Sequence, residues 1–293
     1  MKTRLALFVA MLLLLPPLGA WLSDPAAPFN PSLPSITPDA ASWITLPLLA
    51  ALLAGANTWL TRRQGHNLLR LQTRYYLTLT LFGAVLGGLL LWLNRFAVSW
   101  DTPGARDALT LLGDSLLFAL LLPTVLIVRA LLASFPLLLH RSARGPALPA
   151  PPQQLASSLL LLAALGGLLA GPTWPQALFW LLWLSPLLLL MALQQLWHED
   201  TIFAGLAQGD WSRPLLAALA GLVVCNLALA SFRLAGGNLI WQLPHDAFAQ
   251  WLYASYGLLC LQLGDVVAAA WRGKTRADLF RQKTFPIPVV SRK

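Results

Sequence analysis

The sequence predicts an all-α integral membrane protein of about eight transmembrane helices, built as two parallel four-helix halves. The first observation behind this is a series of apolar stretches, clearest at Trp43–Leu60, Tyr75–Leu93, Leu109–Ala133, Gln176–Trp197, Pro214–Ser231 and Ala247–Ala270. A spanning helix needs about 20 mostly apolar residues. Hydrocarbon offers no water to backbone polar groups, so runs of this kind have to be helical. The second observation is composition: 57% of the 293 residues are hydrophobic and 11% charged, against about 25% charged in a typical soluble domain. The third is a recurrence of uncommon residues at an offset of 138–139 positions.

In chain order the expected helices are about 4–22, 43–60, 75–93 and 109–133 in a first half spanning 1–143. Helices at about 156–171, 176–197, 214–231 and 247–270 follow in a second half spanning 155–271. The opening segment sets Lys2 and Arg4 before an apolar core, Leu5–Leu15, which Pro16 and Pro17 interrupt. That pattern also fits a secretory signal cleaved near Ala20; the even helix count favours an uncleaved anchor. The stretch Ser23–Ser42 carries Pro25, Pro28, Pro31, Pro34 and Pro38, a density at which no helix continues. A second Pro-rich stretch, 144–154, reads as the linker between halves, and 272–293 as a basic cytoplasmic tail.

The net charge of +9 reads as topology rather than nucleic-acid binding. With both termini cytoplasmic, only Arg95, Arg106 and Arg233 of the 20 basic residues fall outside, so 17 lie inside. This positive-inside bias points to a multi-pass protein of a bacterial-type inner membrane. Its expected partners are the bilayer, anionic headgroups at the basic face and other membrane subunits, with no nucleic acid.

At the recurrent offset Pro47 meets Pro186, Trp59 meets Trp197 and Arg74 meets Arg213; Gly83 meets Gly221, Arg95 meets Arg233 and Asp107 meets Asp246. Leu and Ala coincidences are nearly free in such a composition, whereas Pro, Trp, Gly, Arg and Asp coincidences are not. The interfacial preference of Arg and Trp accounts for part of the pattern. Four helices per copy is an even number, so the copies share one orientation about an axis along the membrane normal.

An ionisable residue inside a bilayer costs about 2.5–3.5 kcal/mol and is a functional candidate by default. Asp114 lies near the outer end of its span and Asp265 near the inner end; Gln262 shares the Asp265 face, and Asn226 is near mid-membrane. A proton or ion relay through these four competes with a plainer reading, in which Asn226 ties helices together and Asp265 anchors Arg272. At the outer face Arg95 and Arg233 are candidates for binding an anion bidentately. The alternative is that Asp107 and Asp246 simply close each loop on its own arginine.

At the inner face, Trp197-His198-Glu199-Asp200 suggests acid–base or metal chemistry. Successive helical residues point about 100° apart, and the H-E-x-x-H spacing that would converge them is missing. Asp200 or Thr201 reads instead as the N-cap of an interfacial turn with Ile202, Phe203 and Leu206 in lipid, anchored by Trp197 and Trp211. Cys225 and Cys260 are at similar depth on neighbouring helices, which raises a dithiolate Cu(I) site beside the reading as small packing residues. No lysine lies in a span, which excludes a retinal Schiff base, and His66, His140, His198 and His245 sit at edges, which disfavours haem. No cofactor follows from the residues. The favoured function is non-enzymatic transport, lipid handling or assembly, with a cavity between the halves for a hydrophobic or amphiphilic partner. The alternatives are an enzyme acting on a lipid headgroup at the cytoplasmic face, with Arg62, Arg63 or Arg213 on phosphate, and a structural subunit of a larger complex.

Overall fold

The computed structural model describes residues 2–23, 40–101, 108–149, 151–245 and 247–272. In chain order these form α1 (Lys2–Ser23), α2 (Ala40–Gln64), α3 (Leu68–Leu71), α4 (Thr73–Ala97), β1 (Trp100–Asp101), α5 (Ala108–Ala133), α6 (Pro136–Ser142), α7 (Gln153–Thr173), α8 (Pro175–Leu196), α9 (Ser212–Leu234), β2 (Ile240–Trp241) and α10 (Ala247–Arg272). A 3-10 turn, Ala204–Gln208, precedes α9. Among the described residues seven helices are long and apolar enough to cross a membrane, and α1 adds a shorter apolar run, Leu7–Leu18. The chain is therefore an all-α polytopic membrane protein of about eight helices, as its hydropathy predicts.

The long helices alternate in direction, which gives the bundle two unlike ends. Arg62, Arg63, Arg70, Arg74, Arg141, Arg144 and Arg213 gather at one, the basic end; β1 and β2 pair at the other, the ribbon end. Hydroxyls within the spans are satisfied locally by bonding back one turn, as Thr45 does to Ala41 O, Thr124 to Leu120 O and Ser185 to Leu181 O. Such bonds let Ser and Thr enter hydrocarbon without an unpaired donor.

Small residues set how closely the helices approach, because lipid supplies no hydrophobic drive between them. A Cβ on Gly83 of α4 would come within 2.8 Å of Phe118 O and 3.0 Å of Ala119 Cα on α5. On α9 a Cβ at Gly221 would lie 2.3 Å from Tyr253 O and 2.7 Å from Gly257 Cα of α10. Gly167 and Gly171 of α7 bring α8 equally near, at Leu181 and Leu182. α5 packs against α2, α4 and α9, and α1 lies mainly on α7 with Phe8 and Leu12 buried.

The basic end is closed by docked chain rather than open loop. Gly145 N–H donates to Gly209 O and Leu148 N–H to Leu206 O, both at 2.9 Å. Trp211 Nε1–H donates to Pro146 O at 2.9 Å, and its ring covers Gly145 so tightly that a Cβ there would clash. Described residues of the Pro-rich 144–154 stretch are thus fastened to the 201–211 loop, with Trp211 anchored on protein. Ile202, expected in lipid, is 1% exposed, and its N–H donates to Gln262 Oε1 at 3.0 Å. The N-cap of the 3-10 turn is Phe203, with no side-chain capping bond, so neither Asp200 nor Thr201 caps it. Before α9, whose N-cap is Trp211, Asp210 Oδ1 accepts the Ser212 N–H at 2.9 Å and caps the turn into that helix. Packing of the loop onto α10 overrides its local amphipathic pattern.

Two outcomes follow. Gly221→Leu should destabilise the bundle by about 1–3 kcal/mol through overpacking. Gly88→Ala, where nothing lies within 4 Å, should be neutral or stabilising by up to about 1 kcal/mol. Reversible unfolding in mixed micelles separates the two. The Ser212 hydrogen bonds hold the Asp210 carboxyl below its ordinary range. Stabilisation from this cap is accordingly full above about pH 4 and is lost as pH falls through the lower folded-state value. Asp210→Ala should cost about 0.5–2 kcal/mol at pH 7 and remove that acid dependence, read from unfolding midpoints at pH 7 and pH 3.

Candidate functional site

At the ribbon end two helices finish in left-handed residues, Val98 (φ 45°) after α4 and Gly236 (φ 87°) after α9. Asn94 turns the first connection: its Nδ2 donates to Trp100 O at 2.8 Å and its Oδ1 accepts the Ser99 N–H at 3.0 Å. The chain folds back over the helix end, so that β1 meets β2 antiparallel with Trp100 opposite Trp241 and Asp101 opposite Ile240. Gln242 N–H extends the pairing to Ser99 O at 2.9 Å.

This ribbon assembles four aromatic rings. Trp100 stacks on Trp183 of α8 at 4.8 Å, and its other neighbour is Trp241, edge-on at 6.0 Å. Trp241 in turn meets Tyr253 of α10 at 5.9 Å. Trp183 is fixed by its indole N–H, which donates to the buried Ser99 Oγ at 2.7 Å. Rings at these separations gain about 0.5–1.5 kcal/mol per pair beyond burial, so the group is a rigid wall.

Behind the wall lies a cavity of about 210 Å³, bounded by α2, α4, α5, α8, α9 and α10. Its lining is overwhelmingly aliphatic and aromatic, with Leu49, Leu121, Leu187 and Leu259 beside Phe118 and Tyr256. A dry cavity of about 150 Å³ accommodates benzene, so this one has room for a ring or a short length of acyl chain. Two polar groups mark it. Asp114 Oδ1 accepts the Ser42 hydroxyl at 2.6 Å, joining α5 to α2. The Tyr256 hydroxyl lies by the Cys260 thiol and has no oxygen or nitrogen partner among the described residues.

Of the residues singled out in the sequence, Asp114 alone lines this cavity together with Cys225. Asn226 exchanges amide hydrogen bonds with Gln250 of α10 at 2.8 and 3.1 Å, the arrangement of interhelical glue. Gln262 is fully buried and holds the 201–211 loop. Asp265 pairs with Arg213 at 2.5 Å; the Arg272 side chain, its expected partner, lies outside the described residues. The bonds of Asp114, Asn226, Gln262 and Asp265 with Ser42, Gln250, Ile202 and Arg213 thus sit at four separate junctions between elements. Cys225 and Cys260 are free thiols. The Gly221–Gly257 contact sets Cys225 level with Tyr253 and Cys260 roughly 10 Å further along the axis. Arg95 and Arg233 are exposed, the former over the Trp92 ring at 5.6 Å; Arg106, Asp107 and Asp246 lie outside the described residues.

His198 ends α8 with a left-handed backbone (φ 55°), and its Nδ1 meets Gln153 Nε2 at 2.9 Å. No group of three or more His, Cys, Asp or Glu able to hold a metal ion occurs among the described residues, so His198, Glu199 and Asp200 do not converge on one. Trp100, Trp183, Trp241, Tyr253 and Tyr256, the residues that build the site, were not legible individually. Their signal was the tryptophan count of 13 and the placing of Trp100 and Trp241 shortly after Arg95 and Arg233. Comparison with known proteins finds no matching family, no similar curated relative and no similar solved structure.

Removing the indole donor tests the wall. Trp183→Phe should destabilise the protein by about 1–3 kcal/mol, since it strands a buried hydroxyl. Ser99→Ala should add little on top of it, and a double-mutant cycle measured by unfolding in detergent reads that coupling.

Proposed function

We propose that the protein binds an amphiphile at the ribbon end, in a non-enzymatic lipid-handling or transport role. The observation that carries this is the apolar cavity of about 210 Å³ behind a rigid tryptophan wall, with one carboxylate at its edge. Hydrophobic cavities with a few placed polar groups are the usual form of a small-molecule site. Here the apolar part of the ligand occupies the space beside Phe118 and Leu121. Asp114, whose Oδ1 accepts the Ser42 hydroxyl, places a carboxylate at the edge of this space to face the polar part of the ligand. Tyr256 supplies a complementary hydroxyl.

In this reading the protein sits in a bacterial-type inner membrane with both termini cytoplasmic. The support is the concentration of arginines at the basic end, which puts the cavity toward the outer leaflet. The two membrane halves are copies related by an axis along the membrane normal. Gly83 packs on Ala119 as Gly221 packs on Gly257, and both members of each pair differ by the same 138 positions. The left-handed Val98 and Gly236 stand at that offset too. Phe118 meets Tyr256, again 138 positions on, edge-to-face at 5.9 Å. A residue that touches its own equivalent lies near a two-fold axis, and an antiparallel strand pair such as β1–β2 carries such an axis locally. The cavity then lies where the two copies meet.

Ala228 of α9 lines the cavity, so Ala228→Trp should fill it. Lipid extracted from protein purified in mild detergent, quantified by mass spectrometry, should show a bound amphiphile in the native protein and its loss in the variant, with unfolding unchanged. Equal lipid content in both sinks the reading.

A further inference from the structure

The basic end holds a second cleft that owes nothing to the ribbon-end cavity. It is an open space of about 610 Å³ bounded by Arg70, Gln72, Thr73, Arg74 and Tyr75 on one side and Asp265 with Ala268 on the other. Tyr75 Oη donates to Gly264 O at 3.1 Å, which pins α4 against α10 and fixes the width. Asp265 is held from a third helix by Arg213 at 2.5 Å, both side chains partly exposed. Arg129 of α5 lies within Coulombic reach of Asp265 and Arg213. Its Nε is buried and has no hydrogen-bond partner among the described residues.

Two guanidinium groups, Arg70 and Arg74, line this cleft with one carboxylate, Asp265, and that carboxylate is paired with Arg213 from outside it. The lining therefore keeps a positive balance at the side where Arg70 and Arg74 are exposed. The same opening faces the first turn of α4, whose N-cap residue Gln72 makes no side-chain capping bond. The positive end of a 25-residue helix dipole therefore adds to the field. Guanidinium forks are suited to tetrahedral oxyanions, which they bind with charge-assisted and often bidentate bonds.

We propose that this cleft is a phosphate-binding site, taking a phosphate monoester or diester with Arg70 and Arg74 as its contacts. Arg213 holds Asp265 from outside the cleft, and Arg129 adds positive charge behind that pair. The phosphate comes from an anionic lipid headgroup or from a soluble phosphate; the chemistry is shared. Asp265 acts here as a brake, since its carboxylate lines the same cleft and opposes an anion there.

The experiment uses the full chain in nanodiscs of pure phosphatidylcholine, with phosphatidylglycerol added as one probe and inorganic phosphate as the other. Binding is read by native mass spectrometry and calorimetry. Arg74→Gln should weaken binding about tenfold, the loss of one charge-assisted contact, while Asp265→Asn should strengthen it several-fold. Arg62→Gln, an equal change of net charge at the end of α2 outside this cleft, should leave binding within twofold. Dependence on Arg74 for phosphatidylglycerol alone assigns the lipid as the source, and dependence for inorganic phosphate assigns the soluble anion. If Arg62→Gln weakens binding as much as Arg74→Gln, or if neither probe depends on Arg74, the site is only diffuse surface charge and the proposal is overturned. Opposite signs for Arg74→Gln and Asp265→Asn keep the test valid even where one variant folds poorly. Ala228→Trp at the other end should not affect either probe, so this site stands or falls apart from the amphiphile cavity.

Discussion

The bundle depends on the close approach of helix backbones at small residues. Between helices in lipid, burial of one apolar side chain against another gains little over its contact with acyl chains, so packing density decides. Gly83 with Ala119, Gly221 with Gly257, and Gly167 with Ser185 bring three helix pairs nearly into backbone contact. Where α5 and α10 face each other the spacers are instead the rings of Phe118 and Tyr256. Two tight hairpins held apart by two large rings cannot fill the space beyond those rings. The cavity at the ribbon end is thus a consequence of where glycine is placed and where it is not.

The helices were legible because their signal is local and has no competitor. A run such as Thr110–Ala133 must be helical in hydrocarbon whatever surrounds it. Helix ends moved outward by a few residues because polar caps and terminal arginines, such as Arg62 and Arg63 on α2, continue the hydrogen bonding past the apolar run. Partnerships across the bundle were not legible. Trp183 and Ser99 are 84 positions apart, Tyr75 and Gly264 are 189, and nothing near either residue announces the other. Two-residue strands leave no periodicity to detect, so the ribbon that builds the candidate site was invisible.

Misreadings at the basic end have the same origin. Ile202, Phe203 and Leu206 have the spacing of a lipid-facing turn, and that inference assumed an unconfined loop. Gln262, taken for part of a polar path, instead receives the Ile202 N–H and draws the loop into protein. The pairing of Asp265 with Arg213, 52 positions away, could not be read either, because intrahelical spacing is all a sequence provides and it is the meeting of α9 with α10 that joins them.

Where polar atoms are left without partners is then informative. A buried donor without an acceptor costs about 1–3 kcal/mol, a large fraction of the roughly 5–15 kcal/mol by which folded proteins are stable. Among the described residues Tyr256 Oη is one such atom, and Arg129 Nε, Gln194 Oε1, Gln195 Oε1 and Gln262 Nε2 are others. An orphaned atom by itself therefore marks no site. What sets Tyr256 apart is its place on the wall of the ribbon-end cavity, where the others do not reach. An acceptor on an amphiphile in that space would supply the partner that its hydroxyl lacks.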